Sequence, residues 1–134
     1  MLDNALKEQV KSLFSSLKDR YVFKISARTG HPSRTELIEL LEETASCSEN
    51  ITCHIEEGAD LEFSLLKNET DTGICFRGIP SGHEFSSLLL AVLNADGVGK
   101  NLPDENTQAR IKALKGPAEL TTYMSLSCTN CPDV

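Results

Sequence analysis

The sequence of 134 residues predicts an α/β fold in which a mixed sheet of about four strands carries helices on both faces. Short segments in which apolar and polar residues alternate predict the strands. Segments whose apolar residues recur every three or four positions predict the helices around them. The length suits one compact domain and is too short for two of ordinary size.

The predicted elements follow one another in a regular order. Their bounds are a helix over 2–18, a strand over 21–27, a helix from Ser33 to near Cys47, strands over 51–55, 61–67 and 74–78, a helix from Ser81 to near Gly97, a surface helix over 103–115 and a strand over 118–124. After the first helix the order is strand–helix–strand, then strand–strand–helix. That order is typical of a thioredoxin-like unit.

Local signals mark where several of these elements begin and end. Ser33 to Glu36 and Ser81 to Glu84 each have the capping-box pattern that opens a helix. The six polar residues 68–73 predict the loop of a β-hairpin. We expect the acid of the second box, Glu84, to reach back to the backbone near Ser81.

Composition excludes several classes of partner. The formal net charge is −7 and no block of basic residues occurs, which argues against nucleic acid or an anionic membrane as ligand. The longest apolar run, 88–93, is far shorter than the roughly 20 residues that cross a bilayer. Five cysteines and no secretion signal predict a cytoplasmic protein rather than a disulfide-stapled secreted one.

A Cys-x-x-Cys motif at Cys128 and Cys131 is the most reactive pattern in the chain. It follows a strand-like run and stands where a helix should begin. A helix N-terminus favours a thiolate, and such a cysteine can have its pKa lowered from about 8.5 to roughly 3.5–7.5.

Two interpretations compete with redox chemistry: a structural pair, and a zinc site that would need a second ligand pair. The candidates for that second pair have the wrong spacing: Cys47, Cys53, His54 and Cys75. We expect the three cysteines among them to be small buried or half-buried residues.

Over its whole length the sequence resembles the N-terminal region of the alkyl hydroperoxide reductase flavoproteins. The resemblance rests on Met1-Leu2-Asp3, on Gly82-His83-Glu84-Phe85, and above all on the segment from Tyr123 to Val134. It implies two fused thioredoxin-like units, of which only the second carries the redox pair. Residues 1–100 would be the redox-silent unit, 101–116 a connecting helix, and 117–134 the truncated start of the second unit.

The resemblance also implies a function. Electrons would pass from NADH through FAD and an internal disulfide to Cys128 and Cys131, and then to the peroxiredoxin of the alkyl hydroperoxide reductase system, which reduces alkyl hydroperoxides and hydrogen peroxide. No cofactor would bind within this sequence, because FAD and NADH belong to a C-terminal flavin module. That module and the peroxiredoxin are the implied partners, and a homodimer stays open.

The resemblance places Glu84 near the redox pair, where its carboxylate would move a proton as the disulfide opens. The catalytic residues expected are therefore Cys128, Cys131 and Glu84. Two alternatives remain: a glutaredoxin-like protein disulfide oxidoreductase, and a non-catalytic docking module.

Overall fold

The computed structural model of the chain describes residues 2–97 and 102–133. Its helices are α1 (Asn4–Phe14), α2 (Arg34–Ala45), α3 (Phe85–Ala95) and α4 (Glu105–Lys112). Its strands are β1 (Tyr21–Ala27), β2 (Ile51–Glu57), β3 (Leu61–Lys67) and β4 (Thr70–Arg77). Two 3₁₀ helices, Gly82–Glu84 and Cys131–Asp133, complete the described structure. None of the helices in these two ranges has the length and apolar character needed to cross a membrane.

The four strands form one mixed sheet in the order β2-β1-β3-β4. β1 runs parallel to β2, with Tyr21 opposite Ile51, and antiparallel to β3, with Phe23 opposite Leu65. The parallel pair needs a crossover, and α2 supplies it. β3 and β4 form the antiparallel hairpin. This mixed sheet confirms the α/β fold class that the sequence predicts.

One hydrophobic core joins the sheet to the first three helices. Alternation along β1 and β3 sends every second side chain to the same face, so the register stacks apolar residues of the two strands opposite one another. Phe63 lies at the centre, 6.0 Å from the Phe23 ring in an edge contact and 5.1 Å from the Phe76 ring in a stacked one. Burying each large apolar side chain contributes about 1.5–3 kcal/mol. The fully buried large apolar side chains among the described residues are Val10, Phe14, Tyr21, Phe23, Ile25, Leu37, Leu41, Phe63, Leu65, Leu88 and Val92.

A buried carboxylate after α3 forms hydrogen bonds with residues just before and at the start of β1. Asp96 follows α3 and accepts hydrogen bonds from the backbone N–H groups of Lys18 and Asp19 at 3.0–3.1 Å. The hydroxyl of Tyr21 donates to its Oδ1 at 2.8 Å. Gly97, next along the chain, has φ +87°, so the expected glycine after the helix is confirmed. The expected boundary between units near residue 100 lies outside the described residues.

The β3–β4 hairpin turns earlier than the sequence predicts. Asn68 and Glu69 have φ of 49° and 70°, and β4 begins at Thr70. Two consecutive positive φ values are those of a tight I′-type hairpin turn. The six-residue loop expected over 68–73 is therefore wrong. Its polar residues form the start of an edge strand, whose outward side chains are not required to be apolar.

Neither expected capping box forms. The side chains of Ser33 and Ser81 make no capping hydrogen bond. The helices that do have side-chain caps use aspartates: Asp3 accepts from the Leu6 N–H and Asp104 from the Thr107 N–H, both at 2.7 Å. At Ser33 the backbone, with φ −102° and ψ 7°, is outside the extended region that an N-cap residue adopts. Ser81 is extended, but a 3₁₀ helix follows it, and its side chain makes no capping hydrogen bond.

The strand expected over 118–124 is not formed. In the described residues this segment has neither helix nor strand, and no strand lies beside it to supply the ladder hydrogen bonds. Its apolar side chains are exposed, Leu120 at 92% and Tyr123 at 93%. The surface helix expected over 103–115 is confirmed as α4, which is shorter and has no buried residue.

Candidate functional site

Cys128 and Cys131 are joined by a disulfide, with their Cα atoms 5.5 Å apart. That separation is in the usual range for disulfide-bonded cysteines. The N–H of Cys128 donates to the carbonyl of Ser125 at 3.0 Å, which makes a turn immediately before the motif. Cys131 begins the 3₁₀ helix Cys131–Asp133, in place of the α-helix expected there. Both cysteines are half-buried, so the motif is partly covered.

The cover comes from α3 and the 3₁₀ helix before it. The 3₁₀ helix Cys131–Asp133 packs against α3 and against the other 3₁₀ helix, Gly82–Glu84, with Cα atoms of these elements within 8 Å. The backbone N–H of His83 donates to the carbonyl of Leu126 at 3.3 Å. The structure therefore brings the two cysteines and the segment of Glu84 into one region, although they are distant in the sequence.

Glu84 is a buried carboxyl group at the start of α3, with 3% of its surface exposed. Its Oε2 accepts a hydrogen bond from the Ser87 hydroxyl at 2.6 Å, and its Oε1 has no partner among the described residues. The expected capping role is wrong, because the Ser81 N–H donates to the carbonyl of Ile79 instead. A buried carboxyl oxygen without a partner is costly, and such groups concentrate at functional sites. It can accept a proton or a hydrogen bond from a group that arrives during a reaction.

The other three cysteines lie on the helix end and the strands. Cys47 is buried and Cys53 half-buried, as expected, but Cys75 is exposed on β4. Burial, and then the nearby carboxylate of Glu42, raise the pKa of Cys53 to about 11. In the part of the chain that the structure describes, no three His, Cys, Asp or Glu side chains are grouped to hold a metal ion.

Two residues of this region were missed at the sequence level. Ser87 lies one turn after Glu84 on the same helix, a spacing that places two side chains on one face and could have been noticed. Gly82 has φ +59°. A positive φ leaves no sequence signal beyond the glycine itself, which is common in loops.

The fold and the disulfide define a thioredoxin-like unit that carries a Cys-x-x-Cys. No protein-family profile matches the chain. Over its whole length it is 39% identical to the alkyl hydroperoxide reductase AhpF of Pseudomonas aeruginosa and 36% identical to a protein named NADH dehydrogenase of Bacillus subtilis. It spans 26% of the length of each.

Solved structures agree with this relationship. The NTD_N/C domain of the Enterococcus faecalis alkylhydroperoxide reductase AhpF superposes with a TM-score of 0.82 at 27% identity, covering 99% of this chain and 70% of that one. A protein disulfide oxidoreductase from Aeropyrum pernix superposes equally well, with a TM-score of 0.82, but at 14% identity it shows the fold alone. It covers 98% of this chain and 64% of that one. The chain is homologous to the N-terminal region of the alkyl hydroperoxide reductase AhpF.

Proposed function

We propose that this chain passes electrons through the Cys128–Cys131 pair to the disulfide of a peroxiredoxin, as part of an NADH- and FAD-dependent disulfide reductase. The observation that carries the proposal is a Cys-x-x-Cys disulfide packed against the segment of a buried, half-partnered carboxyl group. The names of the relatives, a hydroperoxide reductase and an NADH dehydrogenase, support it. The chain spans about a quarter of those relatives, so the flavin chemistry is assigned to the rest of such a protein. A cytoplasmic location goes with this assignment.

The exchange has two steps. The Cys128 thiolate attacks one sulfur of the partner's disulfide, which forms a mixed disulfide and releases the partner's other sulfur as a thiolate. Cys131 then loses its proton and attacks Cys128, which closes the Cys128–Cys131 disulfide and releases the second partner thiolate. Two electrons reach the partner, and the flavin module returns two electrons to the pair.

Glu84 has a proton-transfer role in this proposal. Cys131 must lose a proton to become a nucleophile, and the reverse step must return one. The Oε1 of Glu84 has no partner among the described residues and belongs to a segment packed against Cys131–Asp133. The carboxylate is supported on its other oxygen by Ser87, so accepting a proton at Oε1 need not break that hydrogen bond.

The proposal includes a division of the chain into units. Residues 1–100 are a silent thioredoxin-like unit, 101–116 a connection and 117–134 the start of a second unit. The exposed apolar side chains of Leu120 and Tyr123 support this, since large apolar side chains on a surface mark a place where another part of a protein packs.

Two measurements test the function. The reduced chain is alkylated with iodoacetamide at about pH 6, where an ordinary thiol of pKa about 8.5 reacts slowly. We expect Cys128 to react at least about tenfold faster than free cysteine, and Cys131→Ser to retain that rate. The second measurement is the reduction of a peroxiredoxin disulfide by the reduced chain, which Cys128→Ser should abolish. A Cys128 that alkylates no faster than free cysteine, together with no transfer to the peroxiredoxin, would refute the proposal.

A further inference from the structure

The turn that precedes Cys128 is hydrogen-bonded to the segment before α3 at one place. Among the described residues, the hydrogen bond from the His83 N–H to the Leu126 carbonyl is the one that joins residues 113–133 to residues 2–97. Leu126 lies inside the turn closed by the Cys128 N–H and the Ser125 carbonyl. The position of the Leu126 carbonyl, together with the packing of Cys131–Asp133 against α3, therefore determines where that turn and Cys128 lie.

Gly82 makes this approach sterically possible. A Cβ atom at this position would lie 3.1 Å from the Leu126 carbonyl oxygen and 3.9 Å from its Cβ. The first distance is tighter than ordinary van der Waals contact, and the neighbouring atom is backbone, which cannot rotate away. Gly82 also has φ +59°, a left-handed conformation that residues with a side chain rarely adopt.

The same short segment carries the buried carboxyl group. Glu84 ends the 3₁₀ helix that Gly82 begins, and its N–H donates to the carbonyl of Ser81 at 3.1 Å. The backbone from Gly82 to Glu84 thus contacts the redox turn at one end and presents a carboxyl group at the other. A displacement of the turn from Gly82 changes the distance between the cysteine pair and Glu84.

We propose that Gly82 is a positioning residue for the redox pair: with the His83 N–H, it holds the Leu126 carbonyl so that Cys128 and Cys131 lie at a set distance from the Glu84 carboxyl group. This inference rests on the proposed dithiol function and adds a residue to it. Gly82 touches neither the partner's disulfide nor the reacting sulfurs. It acts through the backbone of Leu126.

The test is the pH dependence of Cys128 alkylation in the reduced chain of 134 residues. Gly82→Ala should move the midpoint of this profile by roughly half a pH unit or more, because a displaced turn changes the charge environment of the thiol. The matched control is Gly97→Ala. Gly97 has φ +87°, and a Cβ there would meet no atom of the described residues within 4 Å, so that variant has the backbone strain without the contact to Leu126. The control should lose a similar amount of stability and keep the wild-type profile.

A second variant disrupts the contact with the Leu126 carbonyl by removing its hydrogen-bond donor. His83→Pro removes the N–H donor near the start of the 3₁₀ helix, where proline is tolerated. It should move the profile as Gly82→Ala does, and it serves as the test if Gly82→Ala does not fold.

Profiles for Gly82→Ala and His83→Pro that match the wild type would overturn the positioning role, as would an equal shift in Gly97→Ala. The proposed function fails on a different result, namely wild-type Cys128 reacting like free cysteine and not reducing a peroxiredoxin.

Discussion

Ser87 donates its hydroxyl hydrogen to Oε2 of Glu84 at 2.6 Å, one turn along the helix that Glu84 precedes. The carboxyl group is buried, and its other oxygen has no partner among the described residues. This hydrogen bond therefore orients the Glu84 carboxyl group, for which the sequence predicts a capping role instead.

Ser87→Ala should destabilise the chain by about 1–3 kcal/mol, because it removes the partner of a buried carboxyl oxygen. Urea unfolding followed by circular dichroism measures the change. Ser86→Ala is the matched control: its side chain is exposed on the same turn, and we expect a change within about 0.5 kcal/mol. Equal unfolding midpoints for the two variants would contradict the assigned role of Ser87.

Tyr21 should make the stability fall at high pH. Burial, and then the Asp96 carboxylate that accepts its hydrogen bond, raise the pKa of Tyr21 well above its ordinary value of 10.0. A raised pKa gives a contribution that is fully present below the unfolded pKa of about 10 and is lost as the pH rises from there toward the folded pKa.

The measurement compares the free energy of unfolding between about pH 9 and pH 11, on either side of the ordinary tyrosine pKa. We expect Tyr21→Phe to be less stable at the lower pH, because the Asp96 carboxylate loses a donor, and to show a flatter decline. Tyr123→Phe changes an exposed tyrosine and should keep the wild-type slope. The interpretation fails if Tyr21→Phe declines as steeply as the wild type.

The free cysteines should differ in reactivity. Cys53, with its pKa raised to about 11 by burial, should alkylate slowly near pH 8, and its rate should rise toward the raised pKa. Cys75 is exposed and should be modified first. Peptide mapping by mass spectrometry on the oxidised chain, in which Cys128 and Cys131 are blocked by their disulfide, separates these sites. Equal rates at Cys53 and Cys75 would show that β2 leaves the Cys53 thiol accessible.

Glu69→Gly should stabilise the chain by about 0.5–1 kcal/mol, because glycine adopts the left-handed conformation of the hairpin turn without the cost that a side chain adds. The change should appear as a higher unfolding midpoint with an unchanged denaturant slope.

Asn68→Gly is the contrasting variant, since it removes the hydrogen bonds that the Asn68 side chain makes with the Arg20 N–H at 3.0 Å and with Asp19 at 2.9 Å. It should gain nothing or lose stability. A destabilised Glu69→Gly would show that the turn does not carry the expected strain.

The regular elements were the easiest to predict. The alternation over Tyr21–Ala27 predicts β1 with its observed bounds, because burial of one sheet face imposes a two-residue period on the sequence itself. In α2 the spacing of Leu37, Leu40, Leu41 and Thr44 predicts one face of a helix, and all four side chains are buried. A strand or helix that packs against the core has apolar residues at the spacing of its buried face, and this spacing can be read from the sequence.

The elements that were mispredicted take their structure from neighbours. The polar residues 70–73 become strand because β3 lies beside them, whereas the more apolar segment 118–124 does not, because no strand lies beside it among the described residues. Backbone hydrogen bonds across a sheet depend on a partner strand that a local pattern does not reveal.

For the site, the sequence by itself determined the dithiol motif, since two cysteines separated by two residues lie close enough to form a disulfide wherever the chain turns or is helical between them. Only the tertiary structure decided that Glu84 is buried and hydrogen-bonded to Ser87 instead of capping a helix. It also decided that the turn before Cys128 lies against Gly82. The second outcome depends on a contact between His83 and Leu126, which are distant along the chain. Packing of that kind is set by the whole fold, and a four-residue pattern does not contain it.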